Sequence, residues 1–222
     1  MKKYITQKIK HLSYSIKSYA RLVSCVAFCF AALLQTSYSF SISGEDKKNL
    51  KKIETYLNNI KYLSSNFIQE SPDGSVVEGL FYLSRPGKMR VEYIAKPKIL
   101  IIVNGSVLSY IDTELEETSH LGTNTTPASF LTRKKISFSA KDVEVTNIVE
   151  DRKSITVSIV KKNRKEAGEF TLTFQKNPFK FVKMEVKNEL EEKTSIILTK
   201  TNLSKKLSNK LFIIEKDEEE LY

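Results

Sequence analysis

Between Val77 and Tyr93, two runs rich in β-branched and aromatic residues flank Arg85-Pro86-Gly87-Lys88. Proline and glycine at turn positions between such runs specify a β-hairpin. Side chains alternate along a strand, so Phe81, Leu83 and Arg85 share one face. On the return strand Met89, Val91 and Tyr93 share a face opposed by Arg90, Glu92 and Ile94. One side of the hairpin is therefore apolar, with a single arginine at its edge, and the rest of the chain has to account for that combination.

Most of the chain beyond Tyr93 also reads as strand. Lys98–Val103 closes on Asn104-Gly105, a strong two-residue hairpin signal, and pairs with Ser106–Ile111. Both faces of Ile99–Val103 are apolar, so alternation does not say which one is inside. Further strands are expected over 66–70, 117–121, 143–148, 154–160, 169–175, 179–187, 194–201 and 211–214. Two helices interrupt the pattern. Ser43 followed by Glu45 and Asp46 caps one, in which Leu50, Ile53, Leu57 and Ile60 recur at helical spacing. Thr126-Pro127 opens a short second one containing Phe130 and Leu131 and ending in basic residues. About ten or eleven antiparallel strands must curl or close, which gives a barrel-like shell. The N-terminal helix and the short mid-chain helix are the natural covers of its concave face.

Residues 1–39 differ from the rest. Six basic residues and no acid precede an uncharged run over Leu22–Leu34 and the small residues Ser37 and Ser39. Those are the parts of a cleaved secretory signal peptide, and the apolar run is short for a membrane span. Residues 40–222 are expected to form a single domain. They hold 30 basic and 26 acidic residues, so the formal charge of +10 falls to +4 and the nucleic-acid-binding reading loses its footing. Both cysteines, Cys25 and Cys29, lie in the leader, so this domain has neither disulfide nor thiol.

Catalytic chemistry is sparse. Residues 40–222 contain one histidine, His120, in a polar strand, where it reads as a surface residue. There is no glycine-rich phosphate loop, no paired-histidine metal motif and no nucleophile elbow. Asp112, Glu114, Glu116 and Glu117 read as a solvated strand edge, and Lys161–Lys165 as a charged turn. No enzyme, cofactor or metal is expected, and binding is favoured over turnover.

Five short motifs fall in order along the chain: Phe67-Ile68-Gln69; Glu78-Gly79 with Phe81; Arg85-Pro86-Gly87-Lys88-Met89-Arg90; Val103-Asn104-Gly105 with Leu108; and Thr126-Pro127 with Phe130-Leu131. Their order and spacing resemble the periplasmic outer-membrane lipoprotein carrier family (LolA type), and 210–213 is similar to that family's last strand. The resemblance implies an incomplete antiparallel barrel with a helical lid. It implies a periplasmic protein that takes acylated lipoproteins from an ABC-type exporter in the inner membrane, shields their acyl chains, and delivers them to an outer-membrane receptor. It also implies that Arg85, the arginine before proline, holds the lid closed by hydrogen bonds, and that Met89, Val91 and Tyr93 line the cavity. Phe81, Leu83 and the helical stripe Leu50, Ile53 and Leu57 complete the expected acyl-chain surface, with Pro127, Phe130 and Leu131 in the lid. Val91 is small where the family often has an aromatic residue, and Ala128-Ser129 dilute the lid turn. A monomer without nucleic-acid partners is expected. A second reading keeps the shell and makes it an envelope-stress sensor that binds lipid or lipoprotein and a membrane regulator. A third is a secreted hydrolase.

Overall fold

The computed structural model describes residues 42–126, 128–164 and 168–214. The leader, Pro127 and the acidic C-terminal tail lie outside the described residues.

Helix α1 (Gly44–Asn59) begins on a capping box. Ser43 Oγ accepts from the Asp46 amide at 3.1 Å, and Asp46 Oδ2 accepts from the Ser43 amide at 2.8 Å. Its stripe of Leu50, Ile53 and Leu57 is buried.

Eleven strands follow: β1 (Tyr62–Glu70), β2 (Val76–Ser84), β3 (Lys88–Tyr93), β4 (Ile99–Asn104), β5 (Val107–Asp112), β6 (Glu117–Gly122), β7 (Val143–Glu150), β8 (Ser154–Lys161), β9 (Glu169–Lys176), β10 (Phe179–Lys187) and β11 (Lys193–Asn202). They form one antiparallel sheet in the order β6-β5-β4-β3-β2-β1-β11-β10-β9-β8-β7. Each half is a meander, and the first and last strands join the halves. β6 and β7 remain unpaired edges, so the sheet is an open, incomplete barrel.

The chain between those edges crosses the opening as a 3₁₀ turn (Thr123–Thr125), the short helix α2 (Ala128–Leu131) and a loop to residue 142. Phe130, Leu131, Ile136 and Phe138 are buried there, in the same apolar cluster as the α1 stripe, Leu63, Phe67 and Phe81 of β1–β2, and Val157, Leu172 and Phe174 of β8–β9. Strands from both halves thus share one core, and two helical pieces cover it.

Glycine is required at one position beneath this cover. Gly79 lies opposite Phe67 on β1 and Tyr93 on β3, whose rings meet edge-on at 5.4 Å. A Cβ there would come within 2.3 Å of the Glu92 carbonyl oxygen and 2.4 Å of the Phe67 ring. Gly79→Ala is expected to cost about 3 kcal/mol by overpacking, read as a lowered midpoint in denaturant at unchanged slope.

The expected strand over 211–214 is not a strand. Asn209–Phe212 is a 3₁₀ helix lying against β3 and β4 on the face opposite the main core. Arg90 Nη1 donates to the Leu211 carbonyl at 3.2 Å, and Lys88 Nζ donates to Asn209 Oδ1 at 3.0 Å. β3 and β4 are already paired on both sides, so neither offered this segment a ladder and it buried Phe212 on a sheet face instead. This explains the doubly apolar β4. Val103 faces the main core, whereas Ile102 is 2% exposed on the other face, where the C-terminal segment lies.

Candidate functional site

Arg85 follows β2 at the start of the hairpin turn, and the alternation of that strand directs its side chain inward beside Leu83. It is only 8% exposed, yet no carboxylate among the described residues bonds it. Its acceptors are neutral oxygens from the two covering pieces. From the end of α1, Nη1 donates to the carbonyls of Leu57 and Ile60, the latter at 3.4 Å, and Nη2 donates to Asn58 Oδ1 at 3.2 Å. From the loop after α2, the Arg133 carbonyl accepts from Nε at 2.9 Å and Nη2 at 2.7 Å, and the Lys134 carbonyl accepts from Nη2 at 3.4 Å. A helix C-terminus has unused carbonyls and partial negative charge, so it is a good seat for a guanidinium. Burial pulls the Arg85 pKa below the usual arginine value. One cation thereby ties the hairpin, α1 and the loop together.

Asn58 and Glu54, one helical turn apart, extend this connection. Asn58 Nδ2 donates to the Ile136 carbonyl, and its Oδ1 accepts from the Ile136 amide, both at 2.8 Å. Glu54 Oε1 accepts from the Phe138 amide at 2.7 Å and from Ser137 Oγ at 3.0 Å. The sequence reading missed both residues, and missed Ile136 and Phe138 as plugs. The available signals were two polar residues spaced i, i+4 beside the α1 stripe and the alternation Ile136-Ser137-Phe138.

The residues expected to line a hollow are brought together, but no hollow lies among them. Phe81, Leu83, Met89, Val91, Leu50, Ile53 and Leu57 are all buried and packed with Phe130, Leu131, Ile136 and Phe138. The expected cavity is thus filled from within, because the covering pieces carry the apolar side chains that an open shell would leave in water. Tyr93 is half-buried at one side, and its hydroxyl donates to Gln69 Oε1 at 2.7 Å. Burial raises the pKa of that hydroxyl. The residual space in this region is an apolar cleft beside Phe130, Val143, Ile159 and Phe170, enclosing about 20 Å³, enough for one water.

Other candidates have ordinary surroundings. His120 stands on the exposed strand β6, with Nδ1 2.9 Å from Ser109 Oγ. Asp112 Oδ1 accepts from the amides of Glu114 and Leu115, closing a turn. Among the described residues no group of three or more His, Cys, Asp or Glu is placed to hold a metal ion. No helix among them is long and apolar enough to cross a membrane.

Residues 58–215 match the family described as outer membrane lipoprotein carrier protein LolA. Among solved structures, an uncharacterized conserved protein from Thermus thermophilus is 10% identical, with a TM-score of 0.47 over 78% of this chain and 96% of its own. A LolA superfamily protein from Nitrosomonas europaea is also 10% identical, with a TM-score of 0.43 over 74% and 97%. A DUF1329 family protein from Desulfovibrio piger is 12% identical, with a TM-score of 0.42 over 76% and 96%. No curated protein matches the chain.

Proposed function

The chain belongs to the family of the outer membrane lipoprotein carrier protein LolA, and from that premise we propose that it carries acylated lipoproteins across the periplasm, shielding their acyl chains beneath a lid made of α1 and residues 128–142. In this reading the packed arrangement is the carrier with its lid closed. The observation that carries the reading is the bonding of Arg85: a buried cation held by neutral oxygens of the two lid pieces. A carboxylate partner would add a second buried charge, and either ion left buried and unpaired costs roughly 3–5 kcal/mol. Carbonyl oxygens can pass to water or to cargo at lower cost, so such a contact is suited to repeated opening.

The packed interior fits this use. Seven lid side chains fill the concave face: Leu50, Ile53, Leu57, Phe130, Leu131, Ile136 and Phe138. At roughly 1.5–3 kcal/mol each, exposing them all would cost on the order of 10–20 kcal/mol. An acyl chain gains about 0.8 kcal/mol for each CH₂ it buries, so two or three long chains more than offset that cost. Lid and cargo are then alternative occupants of one surface, formed by Phe81, Leu83, Met89, Val91 and Tyr93, and loading exchanges one for the other. Cargo arrives from an ABC-type exporter in the inner membrane and leaves to an outer-membrane receptor, and residues 1–39 are the cleaved export leader.

The test is to isolate the protein from the cell envelope without detergent and identify what accompanies it by mass spectrometry. Acylated lipoprotein in near-stoichiometric amount, on a chain beginning close to Phe40, is the expected result. A preparation free of acylated protein, from cells in which lipoprotein sorting continues normally after its removal, would overturn the proposal.

A further inference from the structure

Residues 40–222 hold 30 basic and 26 acidic residues, and the excess is not spread evenly. The lid pieces, residues 44–59 and 128–142, contain eight basic and four acidic residues, while the remainder balances at 22 against 22. That balance includes the five acids and one lysine of 215–222, outside the described residues; the lid's own excess of four sits on two short segments.

The lid's four acids are all engaged. Glu45 pairs with Lys48, Asp46 caps α1, Glu54 bonds the 137–138 backbone and side chain, and Asp142 pairs with Arg133. By contrast Lys47, Lys51, Lys134, Lys135 and Lys141 are exposed and make no ion pair among the described residues. On α1, Lys47 and Lys51 lie away from the buried stripe, and the bonds of Asn58 and Glu54 to residues 136–138 bring the second group of lysines alongside the helix. The lysines of α1 lie between Lys47 and Lys52, in its N-terminal half, with none in its last turn.

We propose that the outer face of the lid docks on an anionic phospholipid headgroup surface. The chemistry favours a membrane over an acidic protein. None of the exposed large apolar side chains among the described residues lies in α1 or in 128–142, whereas protein interfaces are centred on apolar and aromatic anchors. The free charges are lysines, flexible point charges spread over a broad face rather than the planar arginine forks that fix one geometry. A surface of mobile anionic headgroups suits that pattern, and juxtamembrane lysine clusters bind such surfaces in proportion to their number. The elements bearing the charge are also those that Arg85 fastens, so docking brings the opening edge of the lid against the bilayer. This deepens the carrier reading but does not depend on cargo, because the protein docks without it.

Cosedimentation of the protein isolated from the envelope with vesicles checks this. Retention on vesicles of phosphatidylglycerol and phosphatidylethanolamine, and little on phosphatidylcholine, is expected, with loss as salt rises. Replacing Lys47, Lys51, Lys134 and Lys135 by Glu should weaken retention at least about tenfold. The same charge change on sheet and loop lysines, Lys98, Lys200, Lys205 and Lys206→Glu, should leave most of it. Equal losses in the two variants, retention on neutral vesicles as strong as on anionic ones, or capture of an acidic protein without any vesicle binding would each overturn the proposal. Thermal melts of both variants control for folding. Normal lipoprotein loading with no vesicle binding would remove this inference and leave the carrier function standing.

Discussion

Arg85→Leu is expected to yield a folded protein that loads acylated lipoprotein and fails to give it up. The substitution removes the Arg85 hydrogen bonds to the carbonyls of Leu57, Ile60, Arg133 and Lys134 and to Asn58 Oδ1, while leucine keeps the apolar contact beside Leu83. Hydrogen bonds from a charged group contribute about 1.5–3 kcal/mol each, partly offset here by relief from burying the guanidinium. A net loss of about 2–3 kcal/mol from the closed form shifts the open–closed balance by roughly 30–150-fold. Closure is what expels cargo in an exchange between lid and acyl chain, so the deficit falls on release. Two measurements separate this from simple destabilisation. Hydrogen exchange should accelerate in α1 and residues 132–138 but not in β8–β10, and transfer of bound lipoprotein to outer-membrane acceptors should slow by a similar factor. Transfer at the normal rate, with exchange accelerated in the lid alone, would mean that Arg85 is a structural clamp with no part in the cycle. Arg85→Lys separates charge from geometry, since one ammonium cannot span carbonyls from two segments as the guanidinium fork does.

The elements were legible where local chemistry dominates. The capping residues of α1, the Arg85–Lys88 turn and the Asn104-Gly105 turn act within a few residues, and strand alternation placed Phe81, Met89 and Val91 on the inner face. Two features lay beyond such reasoning. The segment 209–212 has the composition of a strand, and only the sheet order shows that β3 and β4 had no free edge for it. The hollow was inferred from an apolar lining, yet a lining and a packed core have the same composition; what decides between them is whether another segment fills the space. Ile136 and Phe138 do so, and their docking depends on Asn58 and Glu54, about 80 residues earlier. Pairings at that separation leave no periodic signature. Arg85 was anticipated through the family resemblance alone, since an arginine before a turn reads by itself as exposed; once buried it demands acceptors, and helix termini hold unused ones.

A disulfide across the lid should abolish loading, and its reduction should restore it. Residues 40–222 contain no cysteine, so Asn58→Cys with Ile136→Cys introduces the only pair in the domain. The Asn58 side chain already bonds both backbone groups of Ile136 at 2.8 Å, so the two positions are neighbours across the lid, and loss of free thiol shows that the bridge has formed. The bridge closes a loop of 78 residues and joins α1 to the loop after α2, the two pieces that must separate before acyl chains reach Phe81, Met89 and Val91. Stability is not the readout, because a crosslink of that span stabilises by roughly 4 kcal/mol through the unfolded chain whatever the lid does. Loading is. The oxidised protein, with thiol content confirmed as zero, should take up less than about a tenth of the acylated lipoprotein bound by the reduced form, since opening the bridged lid would expose core worth on the order of 10–20 kcal/mol with no acyl chain to replace it. Each single variant controls for the lost Asn58 bonds and the lost Ile136 plug, and both should load. If the bridged protein fills as well as the reduced one, acyl chains do not enter beneath the lid. The uncovered parts of the sheet around Tyr110 and Leu121, which are 41% and 53% exposed, would then be the surface to examine. That outcome would keep a lipid-binding shell but separate it from Arg85, so the lock tests the link between the buried cation and the cargo that the carrier reading requires.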